Sequence, residues 1–500
     1  MGKTGKVYLV GAGPGNPDLL TVKAKELIEG AEVVVYDRLI GEAIIALLPE
    51  TALKINVGKE AGHHPVPQEE INRILVEEAG KGRDVVRLKG GDSFVFGRGG
   101  EELEELIQAG IAFEVVPGIT SAVAAAAYAG IPVTHRDYAS SLHIITGHRK
   151  KDGKLALDYH SLVRLEGTLI FLMSLSSLDQ LIKGLLAAGM SPAMDCALIE
   201  NGTRPYQRKV LGSLSNIENL AAAQAIVSPA LFIVGRVCSL ATQFDWFDRL
   251  PLKGRRILAV QHQKTGRRLA AALARLGAEV KLLPLMETKN LAFDLPNLTP
   301  YTTLVFTSAN GVDAYFQRLL ATGQDCRLLA GKKLAAVGSQ TAEALTKYGL
   351  YPDFVPSLFQ GETLAREMLE ENRLTPSDRL LLLQAKEASP GLGKALDEGG
   401  IPYDSLAIYE TFYNHQDLPA DLTSYDWITF TAASCVEGLA RCAAEAGVPA
   451  ADFTGLPALC IGPTTAEKAR QLGMKVTLPP EATISSMADT LVTIYSPANA

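Results

Sequence analysis

Along this chain, short apolar runs alternate with longer stretches in which apolar positions return every three or four residues. Val7 to Val10 is followed by the amphipathic stretch Ala24 to Glu29 and then by Val33 to Tyr36. Brief apolar runs bounded by turn residues read as strands, and the stretches between them as covering helices, the pattern of parallel strands joined by helices. Further strands are predicted at Val85 to Leu88, Phe113 to Val116, Leu142 to Thr146, Leu169 to Met173, Ala197 to Glu200 and Leu231 to Val234. The segment Thr134-His135-Arg136-Asp137, after Gly130-Ile131-Pro132, divides this half into two lobes, and a cleft between lobes is the default place for a site. A second break falls at Phe244 to Gly254, where an aromatic, charged segment with Pro251 precedes a new strand, Arg256 to Val260.

Beyond that break the pattern repeats. Val305-Phe306-Thr307-Ser308 returns as Thr429-Phe430-Thr431-Ala432, and Val337-Gly338-Ser339-Gln340-Thr341-Ala342-Glu343 as Ile461-Gly462-Pro463-Thr464-Thr465-Ala466-Glu467. Subtracting 306 from 430 and 341 from 465 gives 124 both times. Ile257 to Gln261 returns as Leu380 to Gln384, and Met286-Glu287-Thr288 as Tyr409-Glu410-Thr411, both displaced by 123. A displacement kept over four blocks predicts two copies of one α/β unit.

Composition narrows the function classes. With 500 residues, 47% hydrophobic and 21% charged, the chain has material for about three or four globular domains. Its net charge of -7 argues against general nucleic-acid binding, so an anionic substrate must be gripped by local basic clusters. No apolar leader opens the chain, and no run approaches the roughly 18 apolar residues of a membrane span, so a cytoplasmic protein without membrane partners is expected. The six cysteines, Cys196, Cys238, Cys326, Cys435, Cys442 and Cys460, form no Cys-x-x-Cys pair and read as core residues. His63-His64 lacks a third ligand pattern, and no metal is expected.

The strand leading into Gly11-Ala12-Gly13-Pro14-Gly15 invites a dinucleotide-binding reading, which fails at one residue. The third glycine of that fingerprint would stand at Asn16, and Pro14 and Pro17 stiffen a loop that should turn directly into a helix. The phosphate-loop pattern fails too, because no Gly-Lys-Ser/Thr follows.

The same loop, continued by Asp18-Leu-Leu-Thr21, resembles the opening of the tetrapyrrole methylases. Val35-Tyr36-Asp37-Arg38-Leu39, Val57-Gly58-Lys59, Val66 to Asn72, Leu88-Lys89-Gly90-Gly91-Asp92, Phe96 to Glu102, Pro117-Gly118-Ile119-Thr120 and Thr134 to Asp137 resemble uroporphyrinogen-III C-methyltransferases specifically. The resemblance covers about residues 5 to 247. It implies a bilobal α/β fold, S-adenosylmethionine as methyl donor, and dimerisation through this half. The implied cofactor contacts are Pro14, Gly90, Gly91, Asp92, Val95, Thr120, Ser121, Met173 and Gly202. Two positions depart from the family pattern: Ser93 stands where proline is usual, and Ser121 where alanine is common. Methyl transfer from a sulfonium to a pyrrole carbon is an in-line displacement, so alignment and water exclusion are the main demands on the protein. The resemblance implies Asp37 as proton acceptor and Lys59 as donor; read from the residues alone, Asp37 pairs with Arg38 or caps a helix, and Lys59 is a surface cation. For a substrate with eight carboxylates, Arg98, Arg136 and Arg149 beside these motifs are the candidate grips, whereas Lys150, Lys151 and Lys154 read as a solvated loop.

The repeated half resembles uroporphyrinogen-III synthases in Phe306 to Val312, Val337-Gly338 with Thr341-Ala342, Tyr409-Glu410-Thr411, Phe430-Thr431 and Ile461 to Ala466. That resemblance implies two α/β lobes with parallel sheets, linked by two strands near Met286 to Lys289 and Ile408 to Phe412, the first lobe being discontinuous. The reaction removes a hydroxyl from hydroxymethylbilane and closes the ring with its last pyrrole inverted; closure without inversion is spontaneous, so the protein enforces a conformation. Tyr409, Thr341 and Thr465 fall at implicated positions, with Tyr409 the candidate to assist hydroxyl departure and Thr307 and Ser308 further substrate contacts. Thr341 and Thr465 also read as helix N-caps.

The expected boundaries are 1–247 for the methyltransferase, with lobes 1–135 and 136–247, a linker over 248–253, and 254–500 for the synthase, with lobes 254–287 plus 411–500 and 288–410. The whole is expected to make uroporphyrinogen III and methylate two of its rings, at C2 and C7, to precorrin-2, and so to serve siroheme or cobalamin formation. The open alternatives are a methyltransferase acting on a later corrin or on RNA, and a C-terminal half that binds tetrapyrroles without catalysis.

Overall fold

The computed structural model describes residues 4–37, 39–49, 51–58, 66–147, 157–358, 360–413, 418–419 and 421–496, without the side chains of 42, 262–267, 286, 287 and 413. Two compact units result: Met1–Arg255 with Leu273–Glu279 and Ile494–Ala500, and Arg256–Ala272 with Val280–Thr493.

The first unit holds two five-stranded sheets. One contains β1 (Lys6–Gly11), β2 (Val33–Tyr36), β3 (Leu53–Asn56), β4 (Val85–Lys89) and β5 (Ala112–Val116), in the order β3-β2-β4-β1-β5, with every pair parallel. Its central strands β2, β4 and β1 are largely buried, which is why they read as apolar runs, whereas β3 (Leu-Lys-Ile-Asn) is mostly exposed and carries no such run. Val34 and Val86 pack on one face with Ile28 and Ile44, while Val33, Val35 and Val85 pack on the other with Leu75 and Leu106. The connection from β1 runs to β2 and that from β4 to β5, in opposite directions across the sheet, so the loops after β1 and β4 flank a topological switch point.

The second sheet contains β6 (Leu142–Thr146), β7 (Thr168–Leu172), β8 (Asp195–Glu200), β9 (Arg208–Ser213) and β10 (Ala230–Val234), in the order β6-β7-β10-β8-β9. Only β6 and β7 are parallel; β7-β10, β10-β8 and β8-β9 are antiparallel. The all-parallel reading of this half is corrected here. The connection from β8 to β9 is too short for a crossover helix, so the chain can only return antiparallel. Strand β9, Arg-Lys-Val-Leu-Gly-Ser, lacks the apolar run that would have announced it.

The second unit is one nine-stranded sheet, in the order β14-β13-β15-β16-β12-β11-β17-β18-β19. Its strands are β11 (Arg256–His262), β12 (Glu279–Asn290), β13 (Thr303–Phe306), β14 (Lys333–Ala336), β15 (Leu380–Ala385), β16 (Tyr403–Tyr413), β17 (Trp427–Phe430), β18 (Ala458–Cys460) and β19 (Val476–Thr477). Parallel groups lie at each end, β13 with β14 and β15, and β17 with β11 and β18. The long strands β12 and β16 pair antiparallel between them, Met286 opposite Tyr413 through Asn290 opposite Tyr409. Each group has its own core, one around Phe430, Val436 and Cys460, the other around Phe306, Tyr315 and Phe316.

The repeat is visible in the backbone. Ser308 and Ala432 precede the helices Ala309–Ala321 and Ala433–Glu445 with φ/ψ of -157/159° and -157/153°; Gly338 and Gly462 precede Ser339–Thr346 and Pro463–Gln471 with -159/170° and -159/174°. The glycines, not the threonines, are therefore the N-caps. Thr341 and Thr465 stand three residues further on, each 5% exposed, which corrects their reading as caps.

Five cysteines are buried and Cys326 is half-buried. Burial pushes the Cys196 thiol, beside Asp195, and the Cys460 thiol up to about 12. A maleimide at pH 8 is accordingly expected to label Cys326 in the native protein and the other five only after unfolding. Intact-mass analysis checks this, and a second fast-reacting thiol would contradict the packing.

Candidate functional site

In the first unit, loops from the C-terminal ends of three strands press backbone against backbone. Gly13 N donates to the Gly91 carbonyl (3.0 Å) and Gly91 N to the Gly13 carbonyl (2.8 Å), joining the loops after β1 and β4. The loop after β5 lies on both: a Cβ on Gly118 would stand 2.2 Å from the Gly91 oxygen and 2.7 Å from Gly11 backbone atoms. Asp92 ties this arrangement, its carboxylate accepting from Phe94 N (2.8 Å) and Gly118 N (3.0 Å). Thr120 caps the helix Ser121–Tyr128, and both Thr120 and Ser121 adjoin Gly91, so Gly90, Gly91, Asp92, Thr120 and Ser121 form one cluster.

The second lobe closes on the same loops. A Cβ on Gly202 would fall 2.2 Å from that of Ala125 in the helix Ser121–Tyr128, and Gln207 Nε2 donates to the Tyr128 carbonyl (3.1 Å). Asn16 Nδ2 donates to Tyr128 Oη (3.1 Å), which assigns a contact to the residue that broke the dinucleotide fingerprint. Arg204, not singled out from sequence, donates to the Leu39 carbonyl (3.0 Å), and its side chain would block a Cβ on Gly15 at 2.7 Å. Pro14 and Val95 are half-buried, and Met173 is 51% exposed in a left-handed conformation (φ 54°) just past β7. Ser93 is buried with its Oγ unpartnered, the consequence of a hydroxyl where the family pattern has proline.

Asp37 directly follows β2, where Leu39 N donates to its Oδ1 (3.1 Å) in a local turn. Beneath it lies a buried charge cluster. Arg87 (3% exposed) and Lys89 (4%) of β4 converge on Glu102 (0%) of the helix Gly99–Gln108: Arg87 Nε stands 3.2 Å and Lys89 Nζ 2.6 Å from Glu102 Oε1, with Gln68 Nε2 at 3.2 Å. The Arg87 guanidinium also donates to the carbonyls of Val35 and Leu88 and comes within 3.9 Å of Asp37 Oδ2. Burial, and after it the adjacent Arg87 charge, hold Lys89 below its ordinary value. The sequence signal was two cations inside a strand buried on both faces, which require a buried acid.

The basic candidates divide. Arg98 sits in the left-handed region (φ 56°) before Gly99, and its guanidinium grips Glu101 bidentately at 2.8 and 2.6 Å. Arg136 is exposed, on the turn where His135 and Ala139 bridge. Lys59 and Arg149 lie outside the described residues, as do His63, His64, Lys150, Lys151 and Lys154.

In the second unit, Thr307 Oγ1 donates to the Leu383 carbonyl (3.4 Å), while Ser308 Oγ accepts from Gly311 N (3.0 Å) and donates to Tyr409 Oη (2.8 Å). Tyr409 is 8% exposed, and burial raises its phenol above the ordinary value. Ser308, Gly338, Ala432 and Gly462 all follow the C-terminal ends of parallel strands, where ligands of open α/β sheets are held.

Residues 6–218 match the family of Tetrapyrrole (Corrin/Porphyrin) Methylases, and residues 267–489 match Uroporphyrinogen-III synthase HemD. The "Porphyrin biosynthesis protein HemD" of Ruminiclostridium josui is 44% identical over 501 residues, covering 98% of each chain. The chain belongs to this tetrapyrrole-biosynthesis family. It is a two-domain enzyme with a methyltransferase-like domain and a uroporphyrinogen-III synthase-like domain. Siroheme synthase 2 of Cronobacter sakazakii is 53% identical over 244 residues, 49% of this chain and 52% of that protein, so the chain spans about half the length of such relatives. A solved uroporphyrin-III C-methyl transferase from Thermus thermophilus, complexed with S-adenyl homocysteine, is 41% identical with a TM-score of 0.41, covering 47% of this chain and 100% of that one. Among the described residues of this family member, no helix is long and apolar enough to cross a membrane, and no group of three or more side chains suited to a metal occurs.

Proposed function

We propose that residues 254–500 close hydroxymethylbilane to uroporphyrinogen III with inversion of ring D, and that residues 1–247 methylate this product at C2 and C7 with S-adenosylmethionine, giving precorrin-2. Residues 248–253 link the two. The observation that carries the methyltransferase reading is the convergence of three glycine loops at a switch point beside Asp37. Those loops offer backbone groups and a helix N-terminus where Cβ atoms would collide, a surface suited to an adenosine and an amino-acid carboxylate. The cofactor is held by Pro14, Gly90, Gly91, Asp92, Val95, Thr120, Ser121, Met173 and Gly202. When bound, it supplies an electrophilic methyl carbon.

The protein's own part is to align the pyrrole, exclude water and move a proton. Asp37 takes the proton that the methylated ring sheds; Arg87 beneath it keeps a cation near the carboxylate. Lys59 serves as donor. Arg136 and Arg149 meet substrate carboxylates, and Arg98 does so by exchanging its exposed partner Glu101. In the synthase half, Tyr409 protonates the departing hydroxyl, and Thr307, Thr341 and Thr465 contact the substrate.

Hydroxymethylbilane and labelled S-adenosylmethionine are expected to yield a doubly methylated type III product. Asp37→Asn should lower methylation by about 10²-fold or more while ring closure continues unchanged. Recovery of only the uninverted, unmethylated macrocycle from the unaltered protein would overturn the proposal.

A further inference from the structure

The two halves of the synthase-like unit provide an internal comparison. The displacement of 124 places Ser308 against Ala432, and that of 123 places Tyr409 against Met286. The backbone ahead of the following helix is the same in both copies, within 6° in ψ, although Ala432 offers no side-chain cap. The fold thus builds this strand-to-helix junction with alanine as readily as with serine. A serine hydroxyl bonded to a buried phenol is present in one copy, and the other copy has alanine and methionine at those positions. Backbone architecture does not demand the pair.

The bonding pattern indicates its use. Ser308 Oγ accepts from Gly311 N, an amide that can only donate, and its own proton goes to Tyr409 Oη. The phenol oxygen is thereby filled from the serine side, and the phenolic proton is directed elsewhere. Phe306, Tyr315, Phe316 and Ile408 belong to the same apolar cluster as Tyr409, so the ring has little freedom to turn. Among the described residues Ser308 is the hydrogen-bonding partner of the phenol.

We propose that Ser308 is a positioning residue of the ring-closing site, holding Tyr409 Oη so that the phenolic proton faces the hydroxyl to be lost. This rests on the reading of Tyr409 as proton donor. In the step, the pyrrole nitrogen lone pair forms a C=N system as the C–O bond of the hydroxymethyl group breaks. The leaving oxygen takes the phenolic proton and departs as water. Loss of the pyrrole N–H proton then gives the neutral azafulvene and returns a proton to the phenolate. Ser308 donates throughout and stabilises the phenolate when it forms.

The test uses the full chain with hydroxymethylbilane and measures kcat, KM and the ratio of type III to type I macrocycle for Ser308→Ala, Ser308→Thr, Tyr409→Phe and the double variant Ser308→Ala/Tyr409→Phe. Ser308→Ala is expected to lower kcat for the type III product by about tenfold with KM within about twofold. Ser308→Thr, which retains the hydroxyl, restores most of the rate. In the Tyr409→Phe background Ser308→Ala removes nothing more. An equal fall in both backgrounds, or no fall in either, would overturn the positioning role and leave Tyr409 as donor intact. Full activity in Tyr409→Phe would overturn the donor reading itself and the inference with it. Ala432 shows that alanine supports this helix start, so Ser308→Ala is expected to fold.

Discussion

Replacing Glu102 by alanine is expected to lower the melting temperature of the methyltransferase-like unit by about 10 °C. Glu102 is fully buried and is the carboxylate on which both Arg87 and Lys89 converge. Removing one member of a buried ion cluster costs about 3–5 kcal/mol, because the remaining charge stays desolvated, and each kcal/mol shifts a domain of this size by about 2–4 °C. The two cations respond differently. Arg87 cannot lose its proton, whereas Lys89, already held below the ordinary lysine value by burial and by Arg87, can. The unfolded chain keeps the Lys89 proton up to about pH 10.4 and the folded variant releases it earlier. Between those points the unfolded state binds more protons, so stability climbs as pH rises. In the unaltered protein the Glu102 charge raises Lys89 against these effects, so the variant releases the proton at lower pH than the unaltered protein does, and the deficit of Glu102→Ala should shrink as pH rises towards about 10.4, as calorimetry at several pH values would show. A deficit independent of pH would mean that the folded variant keeps the Lys89 proton over the same pH range as the unaltered protein. Glu102→Gln, which keeps an acceptor but not the charge, should fall between.

The second large effect is steric. Gly118→Ala is expected to weaken binding of S-adenosylhomocysteine by about tenfold or more and to destabilise the first unit by about 3 kcal/mol. The new methyl would stand 2.2 Å from the Gly91 carbonyl oxygen and 2.7 Å from Gly11, where every close atom is backbone and no side chain can swing aside. Relief requires the loops after β1, β4 and β5 to separate, which breaks the paired bonds between Gly13 and Gly91 and the tie from Asp92. Gly100→Ala is the control. It stands in the helix Gly99–Gln108 with no atom within 4 Å of its Cβ, where alanine is the better helix former and binding should be unchanged. Titration calorimetry with both variants separates the two cases; normal affinity in Gly118→Ala would show that the loops do not form the cofactor's wall.

Legibility varied with the range of the interaction. Four strands of the first sheet are readable from sequence because a buried strand shows its apolar run directly, as in Val33-Val34-Val35, while the exposed strand β3, Leu-Lys-Ile-Asn, shows none. Strand β9 is not readable either, because an antiparallel edge strand with Arg208, Lys209 and Ser213 owes its place to β8 alone. Asp37, Tyr409 and the glycine turns are candidates on sequence alone, since each lies in a local motif. Their surroundings are not readable there: Arg204 reaches Leu39 across 165 positions and Arg87 reaches the Val35 carbonyl across 52, and no local pattern announces either. Thr341 and Thr465 are not the caps, because a threonine three residues after a glycine does not reveal at which residue the helix begins.

By itself, the sequence determined the α/β class, the repeat and the family resemblance, and it named the candidate residues for the chemistry. All of these are written in composition, spacing or short motifs. Tertiary structure decided what each group touches. It made the second sheet largely antiparallel, turned Asp92 into a tie between loops, set Arg87, Lys89 and Glu102 beneath Asp37, and joined Ser308 to Tyr409 while the sister positions carry alanine and methionine. The physical reason is that burial, charge compensation and backbone contact depend on which segments meet, and here the segments that meet are tens to more than a hundred residues apart.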